Sequence, residues 1–157
     1  MSHFVKLVTA FRQAVLVGGL LCLGGGLAGA QTLSISANPP AMIISTAVAG
    51  SNPTSVTNAT TTYTTKTNIA TNKLKITGRV TAILPPGMSL AINLTPVTSG
   101  VSNGSVVLTT VAQDLMGPIT NTANQTKTIT YKLNATAAAG VVASTTRTVT
   151  LTLTAWP

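Results

Sequence analysis

Residues 145–157 read TTRTVTLTLTAWP. Threonine holds every even position from Thr146 to Thr154, and Arg147, Val149, Leu151, Leu153 and Ala155 sit between them. A two-residue period places the two sets on opposite sides of a β-strand. The stretch therefore predicts a final strand with one wet side and one apolar side. The threonine row reads as the wet side, because Thr suits a pleated surface and its hydroxyl can face water. The informative face is the apolar one, Val149, Leu151 and Leu153 leading to Trp156. It is either the core of this domain or a seam with the next.

The same period recurs upstream. TLSISA (32–37) sets Leu33, Ile35 and Ala37 on one side. KLKITGRVTAIL (73–84) does so with Leu74, Ile76, Val80 and Ala82, opposite Lys73, Lys75, Thr77, Arg79 and Thr81. MSLAINLTPV (88–97) gives Met88, Leu90, Ile92 and Leu94, and TITYKLNA (128–135) gives Ile129, Tyr131, Leu133 and Ala135. Runs with one wet face are the mark of antiparallel sheets packed on a core. Between them, NPP (38–40), GSNP (50–53), LPPG (84–87), TSGVSNGS (98–105) and MGP (116–118) are turn or loop signals. LPPG reads as a hairpin connection. Residues 51–71 are weakly patterned and suggest one edge strand around Tyr63, flanked by loops. SVVLTTVAQDLM (105–116) reads as a strand of ambiguous register. The expected fold is an all-β antiparallel sandwich, immunoglobulin-like or pilin-like, of about seven or eight strands.

The first thirty residues stand apart. Lys6 and Arg12 precede the apolar run AVLVGGLLCLGGGLAGA (14–30), which ends in the small-x-small pattern Ala28-Gly29-Ala30. This predicts a helical signal peptide over residues 1–30, cleaved after Ala30, with the sandwich domain over 31–157. The run is short and glycine-rich for a membrane span, so no span is expected after cleavage. The only cysteine, Cys22, falls inside the run and follows Leu21 rather than the small residue a lipoprotein site would want. The expected destination is the periplasm, the cell surface or the medium.

The mature part has seven cations, Lys66, Lys73, Lys75, Arg79, Lys127, Lys132 and Arg147, against Asp114 alone, for a net charge of +6. Such a chain is drawn weakly to anionic surface polymers. Its cations are spread out and only Tyr63, Tyr131 and Trp156 are aromatic, so specific nucleic-acid binding is not expected. Residues 31–157 contain no His, Cys or Glu. Asp114 has no carboxylate partner for acid/base work, and serine has no histidine to activate it. Zinc would want His or thiolate, and calcium several carboxylates. No catalytic residue, metal ligand or cofactor site is expected, and Asp114 reads as a turn residue. Asn58, Asn93, Asn103, Asn124 and Asn134 match N-x-S/T but read as solvent-facing polar positions.

ITYKLNATAAAGVVASTTRTVTLTLTAW (129–156) resembles the last two strands of secreted bacterial fimbrial and spore-coat-U-like subunits. Those families share a Y-x-L strand, a small-residue loop and a final alternating threonine strand with a terminal aromatic. The chain departs from them in lacking a disulfide and in carrying Ala143-Ser144-Thr145 before its last strand. The resemblance implies a non-enzymatic envelope subunit whose partners are itself or other subunits. The candidate assembly residues are Leu33 and Ile35 near the mature N-terminus, and Val149, Leu151, Leu153 and Trp156 at the other end. Strand addition at a sheet edge is the expected mode. A binding module for polysaccharide is the alternative, and ice binding is a distant third. The apolar loop 135–145 is either tucked over one end of the sandwich or open to a partner.

Overall fold

The computed structural model describes residues 31–46, 48, 50–67 and 73–157. The leader, with Cys22 and the Ala30 cleavage site, lies outside the described residues. Eight strands form two antiparallel sheets: β1 (Thr32–Ile35), β2 (Val56–Thr67), β3 (Leu74–Val80), β4 (Met88–Leu94), β5 (Val106–Val107), β6 (Gln113–Ile119), β7 (Thr122–Ala135) and β8 (Val149–Ala155). The larger sheet runs β1-β2-β7-β4-β5 and the smaller β6-β3-β8. The expected all-β sandwich is the observed fold. Among the described residues the sole helical turn is a 3-10 turn at Ala137–Ala139.

The alternating positions build the core. Leu74, Ile76 and Val80 of β3 are buried, as are Leu90, Ile92 and Leu94 of β4. Ile129, Tyr131 and Leu133 of β7 and Val149 and Leu151 of β8 complete the two facing layers. Met42 and Ile44, just after the Pro39-Pro40 break, also enter the core, with Ile43 between them turned outward.

Five local expectations are corrected. LPPG is not a hairpin: β3 and β4 belong to different sheets, and the connection crosses between them. The run ends at Val80, leaving Ala82 and Ile83 exposed. Residues 105–116 do not form one strand. They supply β5 to the larger sheet and the start of β6 to the smaller. MGP lies within β6 rather than in a turn, and the Gly117-Pro118 bond is cis. Pro118 fits because it lies in the register shift between the pairs Ile76↔Met116 and Leu74↔Ile119, where the β3–β6 ladder is already interrupted.

The fifth correction is the largest. Residues 51–71 hold a twelve-residue strand, β2, which lies between β1 and β7 rather than at an edge. Its inward side is Thr61, Tyr63, Thr65 and Thr67, all buried. Hydropathy hides such a strand, since three of its four core positions carry hydroxyls. Burial is tolerated because main-chain acceptors are at hand. Thr65 Oγ1 donates to Thr32 O at 3.0 Å, and Thr67 Oγ1 to Thr120 O at 3.2 Å. The Tyr63 phenol donates to Thr95 O at 2.6 Å. It also lies 3.7 Å from the Met116 sulfur, on the opposite sheet.

Burial pushes the Tyr63 phenol well above its ordinary value. The unfolded chain therefore releases this proton at lower pH than the folded one. Stability should be unaffected by this group below about pH 10 and fall as pH rises beyond it. Tyr63→Phe should remove that component. It should also cost about 1 kcal/mol at neutral pH, because the Thr95 carbonyl loses its donor. Urea titrations of both proteins at pH 7 and pH 11 measure both effects, the first as a lower midpoint at unchanged slope.

Candidate functional site

The two segments singled out for assembly meet in space. β1 and β8 are each the terminal strand of their sheet, and they touch across the interlayer gap on one side of the sandwich. The inward side chains of both strands belong to this domain. Val149 and Leu151 are buried, while Leu33, Ile35 and Leu153 are half-buried against the core. What the two strands still offer is main chain.

The register says which main-chain groups are offered. Thr81 N–H donates to Thr148 O at 3.0 Å, and Trp156 N–H donates to Lys73 O at 2.9 Å. These bonds bracket the β3–β8 ladder, whose partners run from Val80↔Val149 to Leu74↔Ala155 without a shift. Hydrogen-bonded and non-bonded pairs alternate in an antiparallel ladder. The even residues of β8 thus bond to β3, and the N–H and C=O groups of Val149, Leu151, Leu153 and Ala155 point away from it. In β1, the bond from Ser36 N–H to Thr62 O at 2.9 Å fixes the same parity, so Leu33 and Ile35 present their main chain outward.

The opposite side of the sandwich is closed. β5 is only two residues long. β6 is irregular, with register shifts against β3. Its outer edge is covered by the preceding loop: Asn103 N–H donates to Leu115 O at 3.0 Å, Gly117 N–H to Val101 O at 2.9 Å, and Asn103 Nδ2 to Asp114 O at 2.9 Å. Short strands, bulges, proline and a covering loop are the usual means of blunting a sheet edge. β8 has none of them. It is regular over seven residues and carries no charge, and among the described residues no strand pairs with its outer edge.

Trp156 is on the other face from the one alternation implied. It has the parity of Thr150, Thr152 and Thr154, and its ring lies on the outer surface of the smaller sheet over Gly117 of β6. Lys75 reaches between them, with Nζ 5.9 Å from the ring centroid and 3.0 Å from the Asp114 carboxylate. Asp114 is therefore an ion-pair partner within a strand, not a turn residue. Sequence reasoning missed this cluster because its members come from three strands. The small residue at Gly117, beside a lone tryptophan, was the available signal. Lys73, Lys75 and Arg79 share this outer face of β3 with the threonine row.

The loop after β7 is tucked in part. Ala139 and Val142 pack on the core, whereas Val141 is exposed. Gly87, at φ +76°, sits where a Cβ would strike the Ala139 backbone, so glycine is needed there on both counts. A cleft of about 290 Å³ opens at one end, lined by Val80, Ile83, Leu84, Met88, Val107 and Leu108 with three hydroxyl residues. None of its lining side chains ionises in the physiological range. Among the described residues no helix is long and apolar enough to cross a membrane. Comparison with protein-family models, curated proteins and solved structures finds no match.

Gly117→Ala should drive the ring of Trp156 off β6, since the new Cβ would overlap the indole. Trp156 is the only tryptophan, so intrinsic fluorescence reads it directly. The expected outcome is a red-shifted emission maximum and a melting temperature lower by several degrees, about 1–3 kcal/mol for an overpacked contact.

Proposed function

We propose that the chain is exported, cleaved after Ala30, and used as a non-enzymatic structural subunit of the cell envelope or surface that associates with itself through its open sheet edge. One observation carries this reading: the asymmetry between the two sides of the sandwich. The β5/β6 side is blunted by a two-residue strand, register shifts, a proline and a covering loop, whereas β8 on the other side has none of these among the described residues. A seven-residue, charge-free, regular edge presents its main chain to any matching strand. The leader pattern and the resemblance of residues 129–156 to secreted surface subunits point the same way.

Residues 31–157 should sediment as more than one chain at micromolar concentration. Ala155→Pro should reduce that association at least several-fold. The Ala155 side chain is exposed and its N–H points away from β3, so proline removes an outward donor and no internal bond. Analytical ultracentrifugation of both proteins, with thermal melts to establish that Ala155→Pro is folded, is the measurement. A wild-type protein that stays monomeric at all concentrations overturns the proposal.

A second reading is favoured by the outer face of the smaller sheet, where Lys73, Lys75 and Arg79 line one strand beside Trp156. As a binding module, this face would take an acidic polysaccharide. A polyuronate should then bind with saturation, and Lys73→Gln with Arg79→Gln should abolish binding. Equal loss of binding in moderate salt for any polyanion would reduce it to charge attraction.

A further inference from the structure

We propose that the strand received by the β8 edge is β8 of a second copy, paired antiparallel about a two-fold axis through Thr152. This rests on the self-association reading above and assigns it a partner and a register.

The outward main-chain groups belong to Val149, Leu151, Leu153 and Ala155. An antiparallel partner bonds to those residues through residues of its own outward set. The register that overlaps the whole strand pairs Val149 with Ala155 of the second copy and Leu151 with Leu153 of the second copy, each pair occurring twice. A slip of two residues shortens the ladder. A slip of one opposes outward groups to inward ones and turns the side chains to the wrong faces. Sequence and register thus leave one full-length solution, and it is self-complementary, as a two-fold interface must be.

Three features of the single chain are completed by this pairing. Leu153 is half-exposed in the single chain although it has core parity. In the pair it lies beside Leu151 of the second copy on the inner face. Thr152 meets its own copy across the axis, and Thr154 meets Thr150 of the second copy. Cross-strand Thr pairs are favourable in sheets. Finally, a two-fold contact sets every charge near the axis against its own copy. β8 has none, and Lys75 is held by Asp114 on the far side of β3.

β1 of another copy is the competing occupant, and it would give an open chain of subunits. With four residues it would cover about half of β8 and leave outward groups of the remainder unpaired. Pairing of β8 with β8 satisfies all of them and joins the smaller sheets into one of six strands.

The test uses cysteine placement in residues 31–157, which contain no native cysteine. Directly opposed, non-bonded residues have Cα atoms about 4.5 Å apart, within disulfide range. Thr152→Cys should therefore oxidise to a covalent dimer. Thr150→Cys alone should not, since its two copies stand about 13 Å apart, but mixed with Thr154→Cys it should cross-link. Light scattering should give twice the chain mass for the wild type. Thr152→Lys, placing like charges across the axis, should weaken the dimer on the order of tenfold while leaving Trp156 emission unchanged. Open-ended assemblies in which Thr152→Cys does not cross-link overturn the two-fold pairing but leave self-association standing. A wild-type monomer overturns both.

Discussion

Hydroxyl-to-carbonyl hydrogen bonds are the constraint on which the sandwich depends. With one carboxylate in the whole chain, buried polar groups have few charged partners, and main-chain carbonyls take that role. β2 lies between β1 and β7, and three of its four innermost side chains are threonines. Each bonded hydroxyl ties β2 to a neighbouring segment: Thr65 to β1, Thr67 to Thr120 in the turn between β6 and β7, and Tyr63 to Thr95 just past β4. A buried hydroxyl left alone costs more than a made bond returns, so these contacts specify register more than they add stability. Thr61 Oγ1, with no partner among the described residues, is the one place on this strand where the arrangement is incomplete.

The topology explains why the edges matter so much. The chain changes sheet five times, and the only sequential neighbours that pair are β1 with β2 and β4 with β5. A fold of such long-range pairings closes slowly and exposes strand edges while it forms. The β5/β6 side ends in a covered, bulged, proline-bearing strand, which shields it in the folded chain. The β1/β8 side is built from the first and last strands in the order. Among the described residues nothing covers the β8 edge, and such an edge is a hazard in a monomer; in the self-association proposed it is the joint.

Alternation was legible where large apolar residues marked the inner face: β3 as far as Val80, β4, the second half of β7, and β8 as far as Leu153 have the inward residues that their sequences imply, whereas Ala82 and Ala155 are exposed. It failed where other physics set the inner face. Thr61, Thr65 and Thr67 are core residues that hydropathy counts as surface. MGP carries turn residues, but an edge strand with a bulge accommodates them. LPPG does mark a break, but the composition of a connection does not say whether it returns to the same sheet. At the candidate site, both end strands were legible as assembly candidates. That they form the same side of the molecule was not, because this follows from strand order. The position of Trp156 was a matter of parity: counting two from Thr154 places it with the threonines, over Gly117, and apolar character was a poor guide to its face.

Charge scarcity also sets what kind of interface this protein can make. Ion pairs fix register in many assemblies by penalising every offset but one. Residues 149–155 have no charge with which to do so. Specificity must come from strand length and from the period-two pleat, which together allow one full overlap between identical strands. In the pairing proposed, the threonine row sets hydroxyls opposite one another on the outer face, Thr150 with Thr154 and Thr152 with its own copy. Because threonine holds every even position from Thr146 to Thr154, an offset of two also opposes threonines, so the row fixes only the parity of the pairing and strand length must fix the rest.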